Sequence, residues 1–175
     1  MFVKKIYWTI GIVFIVLGAV AFYFPQQSVQ ESNDEVVNDE LFDLVFADYE
    51  GNKVTLRDFK GTPLVVNVWA KWCPFCRKEL PDFVTIQKEF GEDVLFIAID
   101  RNESLGVAKD YTDELGITHD LVFLLDQTDR FYSSIGGFSM PETIFVDSSG
   151  VIQFHKRGVM DLAEIRRRTQ ELLSL

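Results

Sequence analysis

Polarity along the chain changes character twice. From Ile6 to Phe24 no residue is charged. From Pro25 to Glu40 the chain is polar and acidic, with no aromatic residue. From Leu41 onward, short apolar runs alternate with amphipathic ones. In that last region "LFDLVFADYEGNKVTL" predicts a hairpin turning at Glu50-Gly51-Asn52. "TPLVVNVWA" and "DVLFIAID" are short, unbroken apolar runs, the pattern of strands buried on both faces. Pro74 to about Phe90 reads as a helix. Ser104 to Glu114 reads as another, capped by Ser104 and stopped at Gly116. "LVFLLD" predicts a third buried strand, and Asp126 to Ser134 a further helix. "ETIFVD", Ser148-Ser149-Gly150 and "VIQFHK" predict a second hairpin. Asp161 to Leu173 closes the chain as a helix with Leu162, Ile165 and Leu172 on its apolar side. Strands separated by helices, ending in a hairpin and a helix, predict an α/β domain with a mixed sheet and helices on both faces.

The uncharged run sets the topology. As a helix, residues 6–24 would rise about 28 Å, close to the thickness of a bilayer's hydrocarbon core. Tyr7, Trp8 and Tyr23 lie at its ends, where interfacial aromatics are expected. Lys4 and Lys5 place residues 1–5 in the cytoplasm and everything beyond Pro25 outside it. The expected organisation is therefore a cytoplasmic N-terminus at 1–5, a transmembrane anchor at 6–24, a flexible acidic linker at 25–40 and a folded domain at 41–175. A cleaved signal peptide is the rival reading. Ala19-Val20-Ala21 fits a small-x-small cleavage site, but it lies inside the apolar run, ahead of "FYF". No cysteine stands near the segment to carry a lipid.

Composition narrows the function. Hydrophobic residues make up 47% and charged residues 25%, and sixteen Phe promise a substantial core. A net charge of −10 argues against nucleic acid as a partner, because phosphate contacts need clustered Lys and Arg. The one basic cluster, Arg166 to Arg168, fits the solvated face of the last helix.

Both cysteines fall in "WAKWCPFCRKELP", where a buried strand gives way to a helix. Cys73 is placed at the helix N-terminus, with Pro74 at its first position. Free N–H groups and the helix dipole there stabilise an anion, so the Cys73 thiol is the reactive one. Cys76 lies one turn on, within disulfide reach, and is expected to be the more buried, resolving thiol. Three bland readings compete. A structural bridge across two residues would constrain the unfolded chain little. A zinc site lacks further ligands at suitable spacing, since His119 and His155 are the only histidines. Unreactive core thiols would be exposed to oxidation in an exported domain. Redox chemistry fits the context best.

"NVWAKWCPFC" and "CRKELP" resemble the TlpA-like, membrane-anchored thioredoxin-fold proteins that include the ResA and CcmG/DsbE types. "GGFSMPETIFVDSSGVI" is similar to the G-x-x-x-P-E-T-F-x-I-D-x-x-G segment of the CcmG type, with Ile144 and Phe145 exchanged in character. The resemblance spans about Leu41 to Leu173. It implies a thioredoxin-like mixed sheet with an N-terminal hairpin, and assigns Ser104–Glu114 and "LVFLLD" to a central helix-strand insertion. It implies that Cys73 and Cys76 form a redox-active disulfide and that Pro141 follows a cis peptide facing it. The backbone of Met140 would then pair with an extended substrate. Trp72, Pro74 and Phe75 would complete the substrate-facing surface, with Trp69 and Trp72 packed around the site. Glu142 would line the substrate groove or simply begin a strand. Asn67 stands where thioredoxins carry a buried Asp. Glu79, on the Cys76 face of the helix, matches the TlpA-like glutamate and would handle the Cys76 proton. Pro81 should bend that helix.

The resemblance implies an extracytoplasmic thiol–disulfide oxidoreductase of a bacterial-type plasma membrane that reduces protein disulfides, with apocytochrome c among the suggested substrates and a membrane-embedded thiol donor. No cofactor is expected, and no haem-attachment motif is present. An oxidase or isomerase of the same fold is the alternative within the class. A non-catalytic membrane-tethered binding module is the alternative outside it. Copper delivery would call for C-x-x-x-C and a histidine ligand, which this spacing lacks.

Overall fold

The computed structural model describes residues 40–175. The predicted span at 6–24 lies outside the described residues, as does the linker up to residue 39. Among the described residues no helix is long and apolar enough to cross a membrane.

Seven strands form one mixed sheet: β1 Phe46–Asp48, β2 Lys53–Val54, β3 Leu64–Trp69, β4 Leu95–Arg101, β5 Val122–Asp126, β6 Glu142–Val146 and β7 Ile152–Arg157. Their order across the sheet is β2-β1-β5-β4-β3-β6-β7. β3, β4 and β5 run parallel, and the flanking pairs β3/β6, β6/β7, β5/β1 and β1/β2 are antiparallel. This is the thioredoxin-like mixed sheet, with a hairpin at each edge.

β3 is buried along its whole length because it is central, so both pleat faces meet a core. Leu64, Val66 and Val68 point to one side, with Ile97, Ile99, Leu124, Ile144 and Val146. Val65 and Trp69 point to the other, with Phe96, Ala98, Phe123, Leu125 and Phe145. The helices divide unevenly over these faces. Three lie on the Trp69 side: α1 (Pro74–Phe90), α2 (Leu105–Leu115) and α4 (Leu162–Leu173). The opposite face is closed by short pieces, namely helical residues 40–42 with the segment after them, a 3₁₀ turn at Leu56–Phe59 and α3 (Arg130–Ser134), through Leu41, Leu44, Leu56 and Phe131.

Helix limits follow local chemistry. Ser104 Oγ accepts from Val107 N, and Gly116 ends α2 in the left-handed region at φ 69°. Asp161 accepts from Glu164 N at 2.8 Å to open α4. Arg166 lays its guanidinium on Glu89 and ties α4 to α1. α1 runs unbroken from Pro74 to Phe90 across Pro81.

Two limits differ from the sequence reading. The first hairpin begins only at Phe46, because Leu41, in helical residues 40–42, and Leu44, just after the turn that follows them, enter the core instead of extending the strand. α3 begins at Arg130, not Asp126. Asp126 ends β5 and uses its carboxylate to accept from Thr128 N and Phe131 N, organising the turn before the helix.

Asp161→Ala should remove the α4 cap and cost about 1 kcal/mol. The urea midpoint should fall with an unchanged m-value. An unmoved midpoint would mean that packing alone sets the start of α4.

Candidate active site

Four residues separate the end of β3 from the start of α1, and this short turn carries the chemistry. Cys73 is the N-cap of α1, in extended backbone at φ −89° and ψ 106°. Its N–H donates to Ala70 O at 3.0 Å, closing the turn after the strand. Pro74 takes the first helical position, where its missing N–H leaves no acceptor unpaired. Cys73 and Cys76 are joined in a disulfide. Cys76 N donates to Cys73 Sγ at 3.2 Å. That N–H, at the positive end of α1, is the group that would stabilise a Cys73 thiolate.

The sequence predicts that Cys76 is the deeper thiol. In this oxidised form both residues are buried alike, because the disulfide holds Cys73 Sγ over the first turn of α1. The two tryptophans also part company. Trp69 is buried and stacks on Tyr111 with ring centroids 5.4 Å apart. Trp72 is 60% exposed, contrary to the expectation that it packs around the site. It lies beyond the end of β3, in the turn, where no alternation directs it to the core. Phe75 is 55% exposed and Pro74 is exposed beside it, so three predicted substrate-facing residues stand at the surface next to the disulfide.

The Met140–Pro141 peptide is cis. Pro141 is buried, and half-buried Met140 packs against the core cluster that contains both cysteines. Among the described residues, Met140 N–H and C=O bond to no other residue. Its neighbours are tied: Tyr132 Oη donates to Ser139 O at 3.0 Å, and Gly158 N donates to Pro141 O at 2.9 Å. An unpaired donor and acceptor on a fixed segment are what an added strand requires.

Glu79 is fully buried beneath the disulfide's helix turn. One carboxylate oxygen accepts from Met160 N at 2.7 Å, and the other from Asn67 Nδ2 at 3.2 Å. Asn67 Nδ2 also donates to Thr143 Oγ1 at 3.0 Å. The two residues singled out separately in the sequence, Asn67 and Glu79, are thus in direct contact. Asn67 faces Glu79 because it shares the pleat face of Val65 and Trp69. No cation pairs with Glu79 among the described residues, so burial pushes its carboxyl up to about 8, against the pull of the Met160 and Asn67 hydrogen bonds.

Sequence reasoning missed a second carboxylate group at the end of β4. Asp100 is buried opposite Trp69 in the β3/β4 register, and its Oδ1 accepts from Glu103 N at 3.0 Å. Burial, and Glu103 beside it, push Asp100 upward. Glu103 Oε2 accepts from Lys71 N at 2.7 Å and so holds the turn leading to Cys73. Glu142 is also buried, bonded to Phe138 N, Ser139 N and His155. It begins β6, as one of its two sequence readings has it, but its carboxylate is buried and does not line an open groove. Among the described residues no three of His, Cys, Asp and Glu converge on a point that could hold a metal ion.

Comparison with known proteins agrees with this geometry. The Redoxin family model matches residues 32–169. The thiol-disulfide oxidoreductase ResA of Bacillus thuringiensis strain Al Hakam is 26% identical over 150 residues, covering 85% of this chain and 86% of ResA. The thiol:disulfide interchange protein DsbE of Pseudomonas aeruginosa is 30% identical over 120 residues, covering 69% of this chain and 64% of DsbE. A secreted Mycobacterium tuberculosis disulfide oxidoreductase superposes with a TM-score of 0.68 at 20% identity, over 77% of this chain and 99% of that one, a likeness of fold.

Glu79 carries a signature in stability. Its folded-state pKa is raised, so the folded form keeps a proton that the unfolded chain releases near 4.5. The stabilisation is complete below that pH and is lost as pH rises towards 8. Glu79→Gln should flatten the decline in unfolding free energy between about pH 4.5 and 8 relative to the parent, by up to about 1.4 kcal/mol per pH unit. Parallel stability profiles for parent and variant would place Glu79 at an ordinary carboxylate pKa.

Proposed function

The chain belongs to the Redoxin family and is a thiol–disulfide oxidoreductase of the ResA and DsbE type; from that premise we propose that it is held in a bacterial-type plasma membrane by residues 6–24 and reduces protein disulfides outside the cytoplasm. Cytochrome c maturation is the proposed setting, with apocytochrome c as substrate and a membrane-embedded thiol protein as donor. The observation that carries the reading is the placement of Cys73 at the N-cap of α1, with Cys76 N aimed at its sulfur and Glu79 buried one turn beyond Cys76.

In the reduced form the Cys73 thiolate attacks one sulfur of a substrate disulfide. That S–S bond breaks, the other substrate sulfur leaves as a thiolate, and a mixed disulfide forms. Cys76 gives up its proton and attacks Cys73 Sγ. The mixed bond breaks, the second substrate sulfur leaves, and the Cys73–Cys76 disulfide closes, having delivered two electrons. A donor dithiol then reverses the pair's oxidation. Met140 offers its free N–H and C=O to the substrate backbone, while Trp72, Pro74 and Phe75 present an apolar surface to its side chains.

Glu79 serves the Cys76 proton in both directions. A carboxyl near 8 lies close to a free thiol's value of about 8.5, so transfer between them is nearly balanced. When the donor opens the disulfide, protonated Glu79 supplies the proton to the departing Cys76 thiolate. When Cys76 attacks, the carboxylate takes it back. Asn67 cannot do this, because its side chain does not titrate in this range.

Four measurements test the reading. Iodoacetamide at mildly acidic pH should label Cys73 of the reduced domain first, and faster labelling of Cys76 would reverse the roles. Cys76→Ser should trap mixed disulfides with exported partners in the native host; a variant that captures none would point to a binding module with an idle cysteine pair. A reduction potential near or below thioredoxin's, about −270 mV, supports the reductive direction, whereas one near about −120 mV makes the protein an oxidase. Intact mass of the membrane-extracted protein should include residues 1–24, and a start at Phe22 would mean the anchor is cleaved.

A further inference from the structure

We propose that Glu142 and His155 form a clamp that fixes the backbone at Phe138–Pro141, and that this clamp is what lets the site distinguish polypeptide disulfides from small ones. The inference rests on the reading above, in which Met140 receives an extended substrate. It assigns both residues as positioning residues, acting through the loop and not on the sulfurs.

Glu142 opens β6, yet its carboxylate turns back under the preceding loop and is fully buried. One oxygen accepts from Phe138 N at 2.8 Å and from Ser139 N at 2.7 Å. The other meets His155 Nε2 at 2.7 Å. Every polar contact of this carboxylate is therefore committed either to the loop or to the imidazole. His155 is held in place independently, by its register opposite Ile144 in the β6/β7 pair, and is only 21% exposed. The nearby cations are engaged elsewhere. Arg101 pairs with Asp129 and lies over the Tyr132 ring, and Arg157 reaches Gly136 O and the Phe138 ring.

The rest of the loop is restrained by shape. Gly137 N donates to Tyr132 O at 2.8 Å, and a Cβ on Gly137 would come within 2.5 Å of the Tyr132 ring. Fixed points therefore fall at residues 137, 138, 139 and 141, on both sides of Met140. Met140 N–H and C=O remain unbonded between them. A burial this complete, with no Lys or Arg ion pair, is costly unless the carboxylate is well hydrogen-bonded. Its bonds go to two consecutive amides of the substrate-facing loop, and charge-assisted bonds of that kind are the strong ones. The clamp pre-orders the edge, so a substrate strand does not have to organise it on binding. Phe138, 79% exposed beside that edge, would meet the same strand.

A small disulfide has no backbone to pair with Met140 and does not need the edge. The test compares a disulfide-bonded peptide with a small aromatic disulfide as substrates of the reduced exported domain. His155→Ala and Glu142→Gln should raise KM for the peptide about tenfold or more, with kcat little changed and the small-disulfide rate at the parent's level. His155→Gln, which keeps a donor for Glu142, should restore the peptide KM. In the same variants the amide proton resonances of Phe138 and Ser139 should move upfield in Glu142→Gln and stay near the parent's in His155→Gln. Unchanged peptide KM in both damaging variants overturns the proposal. So does a small-disulfide rate that falls in step with the peptide's, since that would mean the pair acts on the cysteines. A parent domain that exchanges with neither substrate would instead overturn the reading of the site as a disulfide reductase.

Discussion

A carboxyl group without a cation, buried under the first turns of α1, is the constraint around which this site is arranged. Glu79 must hold a proton or repel any thiolate beside it, and it is placed where the Cys76 face of the helix meets the sheet. Its two oxygens are supplied with donors from Met160 and Asn67, which hold it in place without neutralising it. The strand residue beneath it, Asn67, is an amide that does not titrate, so Glu79 is the titratable member of this contact. In the proposed exchange this carboxyl is the proton source for the moment when the disulfide opens.

The other loops around the disulfide are held by the same kind of contact. Glu103 accepts from Lys71 N in the turn before Cys73, Glu142 from Phe138 N and Ser139 N before the cis proline, and Glu79 from Met160 N before α4. Three glutamates take main-chain N–H groups from three segments that meet at one end of the sheet. Loops so held keep their shape in the absence of substrate, which favours a pre-formed site.

Much of this was legible in the sequence because it is local. β3 announced itself as an unbroken apolar run, since both of its faces are buried. α1 announced itself by Pro74 at its start, and α2 by Ser104 and Gly116 at its ends. Glu79 could be placed by helical spacing from Cys76. What escaped has no local signal. The Glu142–His155 pair meets only through the β6/β7 register, and the Glu103–Lys71 bond only because parallel β3 and β4 end side by side. Trp72 misled because a tryptophan is ordinarily core, whereas the turn between β3 and α1 leaves it outside. Leu41 and Leu44 read as strand because their apolar character says that they are buried, not by which backbone conformation.

The most direct test of the account is the ionisation of Glu79 itself, followed by its carboxyl ¹³C resonance across pH in the oxidised domain. A midpoint near 8 is expected with Cys76 locked in the disulfide, and in the reduced domain a titration coupled to that of the thiols. A single midpoint near 4.5, the same in both redox states, would contradict it and leave the Cys76 proton to water.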